Sequence, residues 1–313
     1  MNIFLKFFLV MWLPITVMAQ SPTEIYVFDV KKEGDSTYLA NPTNITYQNP
    51  GYDNQPSFAG DSSLFYVSTR DGQTDVMYME INGDSGKWIT STPGGSEYSP
   101  TLVPGGNLFS YIRLDTSGLQ RLYVQSREKD SVAVLFDDTE IGYYCWINEN
   151  SIAAFVLGDP VSLQICYLNE GKCYERGENI GRSIHVIPNT SLISYVDKQS
   201  MPWKIMSHEP RMEVTRKIIT TLDGSEDMCW ASDGTIYMGS GSELYKFHAA
   251  FNRYWVKVAD LAQFGLSDIT RLAINPDGSR IAVVVKEKNH HKIVEMDEGK
   301  KEDTEDEKDD YDK

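Results

Sequence analysis

The sequence predicts an all-β protein, a six-bladed β-propeller closed by N- and C-terminal strands that share one blade. Three observations carry that expectation. First, six segments each place an apolar residue before a turn. They are Phe58-Ala59-Gly60-Asp61, Leu102-Val103-Pro104-Gly105, Trp146-Ile147-Asn148-Glu149, Val186-Ile187-Pro188-Asn189, Trp230-Ala231-Ser232-Asp233 and Ile274-Asn275-Pro276-Asp277. Their third residues are spaced by 44, 44, 40, 44 and 44, the period of a four-stranded propeller blade. Second, each turn is followed by a short β-branched or aromatic run, such as Leu64 to Val67, Leu108 to Ile112 and Ile281 to Val285. Third, no window sustains a 3.6-residue apolar period, so helix should be scarce.

Taken in chain order, residues 1–19 read as a secretory signal peptide. Ile3 to Val17 is almost wholly apolar, interrupted by Lys6, and Val17-Met18-Ala19 offers small residues for cleavage after Ala19. That run is short of the roughly 20 residues needed to span a bilayer, so no integral membrane segment is expected after cleavage. Export to the periplasm or medium is therefore expected. Glu24 to Val30 and Tyr38 to Thr46 then look like a third and fourth strand with no first or second before them. The last unit, from Asp268, offers only a first and second strand. The two ends should complete one blade and leave no open sheet edge, although His290 to Met296 is an alternative third strand. The ring is expected over 20–294. Residues 295–313 hold eleven acidic and four basic side chains, a net charge of −7. They are too polar to offset chain entropy by burial and are expected to form a disordered acidic tail.

Composition narrows the partners. Of 313 residues, 29 are basic and 45 acidic, for a net charge of −16, which disfavours nucleic acid because phosphate binding needs a basic face. Four cysteines are too few for a disulfide scaffold.

The repeat also carries a resemblance. Tyr52-Asp53-Asn54-Gln55-Pro56-Ser57-Phe58, followed by Ser68-Thr69-Arg70-Asp71-Gly72 and Asp75-Val76-Met77-Tyr78, resembles the WD40-like repeat of TolB-like β-propellers. Ser96-Glu97-Tyr98-Ser99-Pro100-Thr101 and Ile274-Asn275-Pro276-Asp277-Gly278 repeat the pattern. The resemblance covers roughly residues 22–290 and implies the fold while saying little of function. TolB itself carries an α/β domain before its propeller, and no such domain is expected in these 313 residues; no Gly-x-Ser-x-Gly nucleophile elbow occurs in them.

In such a ring the inner strands converge on a central channel, whose mouth is the expected site. One register gives Asp53-Asn54-Gln55, Glu97-Tyr98-Ser99, Ile141-Gly142-Tyr143, Gly181-Arg182-Ser183, Ser225-Glu226-Asp227 and Ile269-Thr270-Arg271. The polar members, Asp53, Asn54, Gln55, Glu97, Tyr98, Tyr143, Arg182, Glu226, Asp227 and Arg271, offer both signs of charge. With His185 they form the expected binding set for a protein, peptide or glycan recognised by a monomeric, non-catalytic module. The competing reading is a hydrolase or lyase whose acid and base are drawn from this set, with His185, Asp53 and Glu226 foremost. Two residues further on, Cys145, His185 and Cys229 occupy equivalent positions in successive blades. Those residue types can bind zinc, but small-residue packing with a hydrogen-bonding channel histidine is the simpler reading. No cofactor is expected, and calcium on the mouth carboxylates is the only cofactor left open. The five histidines are scattered, unlike the His-rich metal site of the oligogalacturonate-lyase-like propellers that share this repeat. Cys166 and Cys173 flank a hairpin turn and would meet as a disulfide if that turn centres on Asn169-Glu170; a one-residue shift would leave two thiols.

Overall fold

The computed structural model describes residues 21–286, except 35, 84, 129 and 130. The expected signal peptide, His290 to Met296 and the acidic tail lie outside the described residues. Twenty-four strands form six four-stranded antiparallel sheets, and the only helical element among the described residues is a 3-10 turn at Leu261–Phe264.

The chain opens with β1 (Thr23–Glu33) and β2 (Ser36–Asn44). Blade 1 follows as β3 (Asn54–Phe58), β4 (Ser63–Arg70), β5 (Gln73–Glu80) and β6 (Lys87–Trp88). Blade 2 is β7 (Ser96–Leu102), β8 (Leu108–Leu114), β9 (Gln120–Ser126) and β10 (Val132–Val134). Blade 3 is β11 (Ile141–Asn148), β12 (Ser151–Val156), β13 (Ser162–Tyr167) and β14 (Lys172–Glu178). Blade 4 is β15 (Ile180–Val186), β16 (Ile193–Asp197), β17 (Lys204–Glu209) and β18 (Val214–Thr220). Blade 5 is β19 (Met228–Trp230), β20 (Ile236–Ser240), β21 (Glu243–Phe247) and β22 (Val256–Asp260). Finally β23 (Arg271–Ile274) and β24 (Arg280–Lys286) meet β1 and β2 in a closing blade of order β2-β1-β24-β23.

The seam is therefore made by the N-terminal strand. β1 pairs with β24 from Thr23↔Lys286 to Asp29↔Arg280. It is the partner that the strongly apolar β24 requires, because Ile281 to Val285 are all buried at 1% exposure or less and would otherwise present a sticky edge.

Blades adhere face to face. Near-continuous apolar runs such as Ser63–Arg70 are buried on both sides, as expected for sheets covered on both faces. Between blades 1 and 2 the rings of Phe65 and Phe109 stack at 5.6 Å, continuing through Tyr111 to Tyr123. A polar contact recurs with the repeat. Trp146 on β11 donates its indole N–H to Ser110 Oγ on β8 at 2.9 Å, and Trp230 on β19 donates to Ser194 Oγ on β16 at 2.8 Å. Each tryptophan is thereby anchored to the second strand of the preceding blade.

The outer hairpin of blade 3 holds the Cys166–Cys173 disulfide. The turn is centred on Asn169-Glu170, so these residues stand directly opposite each other in the β13–β14 ladder.

Candidate functional site

The site is built by the inner strands β3, β7, β11, β15, β19 and β23, which surround the axis. Several begin with register shifts, between Asn54 and Ser57, Tyr98 and Thr101, and Ile141 and Tyr143. Gln55 and Ser99 have positive φ of 53° and 50° at these irregularities. Bulges of this kind re-aim side chains. Here Gln55, Ser99, Tyr143, Ser183, Asp227 and Arg271, one per blade at the same register, all line a cavity of about 700 Å³ along the channel.

Two further rings line that cavity. Ser57, Thr101, Cys145, His185, Cys229 and Ala273 form the middle of the wall, and Phe58, Leu102, Trp146, Val186, Trp230 and Ile274 the far end. The last six are the leading residues of the repeated turns. The channel thus grades from charged to apolar.

At its charged end Arg182 Nε donates to both carboxylate oxygens of Asp227 at 3.1 and 3.2 Å. Arg271 Nη1 donates to Asp227 Oδ1 at 3.3 Å, and Arg271 Nη2 donates to the Tyr143 hydroxyl at 3.2 Å. The closing blade and blade 3 are on opposite sides of the ring, so the Arg271–Tyr143 contact crosses the channel. Burial opposes the charge on Arg182, but the Asp227 and Glu226 carboxylates outweigh it and hold the guanidinium protonated more firmly than usual.

Above this network a second hollow of about 350 Å³ opens between blade 5 and the closing blade. It is lined by Arg182, Asp223, Glu226, Asp227, Asp268, Arg271 and Lys286 among others. Glu226 pairs with Arg182 at 3.6 Å and with Lys198 at 3.1 Å, while Lys198 lies 4.1 Å above the Trp203 ring.

The structure divides the residues expected at the mouth. It brings Gln55, Tyr143, Arg182, His185, Asp227 and Arg271 to the channel and Glu226 to the upper hollow. It withdraws Asp53, Asn54 and Glu97 to 0%, 4% and 0% exposure, and Tyr98 packs half-buried against the core between blades 2 and 3. The expectation that these four face the mouth is corrected. The acids at the first position of the register serve as interblade clasps.

Asp53 accepts from Ser68 Oγ at 2.5 Å and from Asn49 Nδ2 at 3.1 Å, and its carbonyl accepts from Thr23 Oγ1. Asn54 donates to that same Thr23 hydroxyl at 3.1 Å. Glu97 repeats the arrangement one blade on. Its carbonyl accepts from Thr74 Oγ1 at 3.1 Å and its Oε2 from Thr90 Oγ1 at 3.3 Å. Beside it Asp75, fully buried, accepts from Arg70 Nη2 at 2.9 Å. Burial, reinforced by the hydrogen bond and negative charge of Asp75, pushes the Glu97 carboxyl up to about 7.

Burial pushes the His185 imidazole down to about 4, with Asp227 partly opposing, and its Nε2 shares a hydrogen bond of 3.0 Å with Ser183 Oγ. Burial also raises the Cys145 thiol to about 12 and the Cys229 thiol further. The middle ring of the wall is therefore neutral at pH 7, with its cysteines protonated. Among the described residues no group of three or more His, Cys, Asp or Glu is placed to hold a metal ion.

Sequence reasoning missed Lys198, Trp203 and the apolar far end. The last was legible, since the six leading residues of the repeated turns keep the period of the blades.

The arrangement defines a six-bladed propeller whose channel is spanned by a charged strut. Among solved structures the chain is similar to a protein described as TolB from Agrobacterium tumefaciens, at 11% identity and a TM-score of 0.65, covering 86% of this chain and 99% of that one. It is similar to TolB from Acinetobacter baumannii at 13% identity and a TM-score of 0.52, covering 85% of this chain and 64% of that one. A chain of a nidogen/laminin complex gives 12% identity and a TM-score of 0.56, covering 77% and 95%. No protein-family model matches the sequence, and no curated protein matches it significantly. The fold is that of a TolB-like β-propeller. No helix among the described residues is long and apolar enough to cross a membrane.

Proposed function

We propose that the chain is an exported recognition module that binds a protein, peptide or glycan at the charged mouth of its channel and performs no bond chemistry. The observation that carries this reading is the hollow above the strut. Arg182, Glu226, Asp227 and Arg271 there keep part of their surface in solvent and present both signs of charge, while the acids that clasp blades 1 and 2 are wholly buried. Charges of both signs that keep contact with solvent are available to orient a polar partner. The Cys166–Cys173 disulfide fits an oxidising compartment, in keeping with the signal peptide expected over residues 1–19.

The hydrolase or lyase reading has less support. An imidazole near 4, as in His185, is a weak general base at neutral pH. Asp53 is buried, and Glu226 is held by Arg182 and Lys198.

A peptide and oligosaccharide array probed with the secreted chain tests the proposal. A ligand whose affinity drops in both Arg182→Ala and Glu226→Ala is the expected result. A ligand indifferent to both, or turnover abolished by His185→Ala, overturns it.

A further inference from the structure

The strut also forms the ceiling of the larger cavity beneath it. Arg182, Tyr143, Asp227 and Arg271 close that cavity toward the mouth, and its far end is ringed by Trp146, Trp230 and other apolar side chains. A volume of about 700 Å³ suits a small organic ligand.

Charge then selects among such ligands. The charged residues lining the cavity are two arginines and one aspartate. Glu226, the second carboxylate near Arg182, lies in the hollow above and does not line it. His185 is neutral, held so by burial, and the channel thiols are protonated. An excess positive charge therefore faces an apolar chamber inside a protein whose net charge is −16. Asp227 is shared between both guanidiniums, and Arg271 meets it through a single bond of 3.3 Å, its other contact being the neutral Tyr143 hydroxyl. Arg271 is the less compensated cation, with a planar fork suited to a carboxylate.

We propose that the lower channel is a second binding site, sharing with the mouth only the strut between them, that takes a small apolar or aromatic carboxylate. The carboxylate sits against Arg271, and the apolar body extends toward Trp146 and Trp230. Access is from the face opposite the strut, where the turns that follow the inner strands surround the opening.

Isothermal titration of the full chain with 4-phenylbutyrate tests this, with 4-phenylbutan-1-ol as the uncharged isostere. The expected result is saturable binding of the acid at one site, at least about tenfold tighter than the alcohol. Arg271→Gln should remove that preference, bringing the acid's affinity down to that of the alcohol. Ala273→Phe, which fills the middle of the chamber below the strut, should abolish binding of both. Tryptophan fluorescence of the unsubstituted chain gives a second readout that needs no variant, because Trp146 and Trp230 line the chamber. Equal affinity for acid and alcohol, an undiminished preference in Arg271→Gln, or no saturation of the unsubstituted protein by about 10 mM acid overturns the proposal.

Discussion

Glu97 and Glu226 open the inner-strand segments of two blades at nearly the same point of the repeat, yet they sit in opposite environments. Glu97 is at 0% exposure, hydrogen-bonded to Asp75 and Thr90 between blades 1 and 2. Glu226 keeps 19% of its side chain in solvent and faces Arg182 and Lys198 at the rim of the channel. The difference lies in the neighbours. A blade that offers the Thr90 hydroxyl and the Asp75 carboxyl holds the acid in the interface, whereas one that offers cations leaves it at the mouth. Position in a repeat fixes where a side chain starts, and the adjoining blade decides whether it holds the ring or remains free for a partner.

The comparison can be broken first at the clasp. Asp75→Ala removes the acceptor of Arg70 and the partner of Glu97 at once, leaving a partly buried guanidinium without its carboxylate. The expected loss is about 3 kcal/mol, read from the urea unfolding midpoint.

The pH dependence is the next largest effect. The folded-state pKa of Glu97 is raised above its ordinary value of 4.5, so the folded state holds a proton that the unfolded state releases. Stability from this group is fully present below 4.5, falls as pH rises through about 7, and is level above. The drop should be on the order of 2 to 3 kcal/mol. Glu97→Gln should flatten that part of the profile in chemical denaturation between pH 4 and 8.

Trp230→Phe is smaller. It forfeits the hydrogen bond to Ser194 and should cost about 1 kcal/mol by the same assay. At the mouth, the double substitution Arg182→Gln/Glu226→Gln removes one charge of each sign from a partly solvated network. Asp227 loses its bidentate cation but keeps Arg271, so the cost should be about 1 kcal/mol, well short of that of Asp75→Ala.

The blade count, the shared closing blade and the inner-strand register were legible because each follows from a period that chain length cannot disguise. What sequence left open at the seam was decided by β24, whose apolar run needed the long β1 as neighbour. The disulfide likewise depended on a turn register that only the ladder resolves. The site was legible by halves. Tyr143, Arg182, Asp227 and Arg271 reached the channel, but Asp53 and Glu97 did not, because their fate depends on Thr23 and Ser68 for Asp53 and on Thr74 for Glu97, which lie 30, 15 and 23 residues away in folded partner strands. A register read one blade at a time does not contain that information.

The central claim is that the mouth charges serve recognition while the interblade acids serve stability. Its most direct test is titration of the strongest array ligand against Arg182→Gln/Glu226→Gln at pH 7, with the unfolding midpoint measured on the same preparation. The account predicts at least about a tenfold loss of affinity with a midpoint lowered far less than that of Asp75→Ala. An unchanged affinity accompanied by a midpoint lowered as far as that of Asp75→Ala would contradict it.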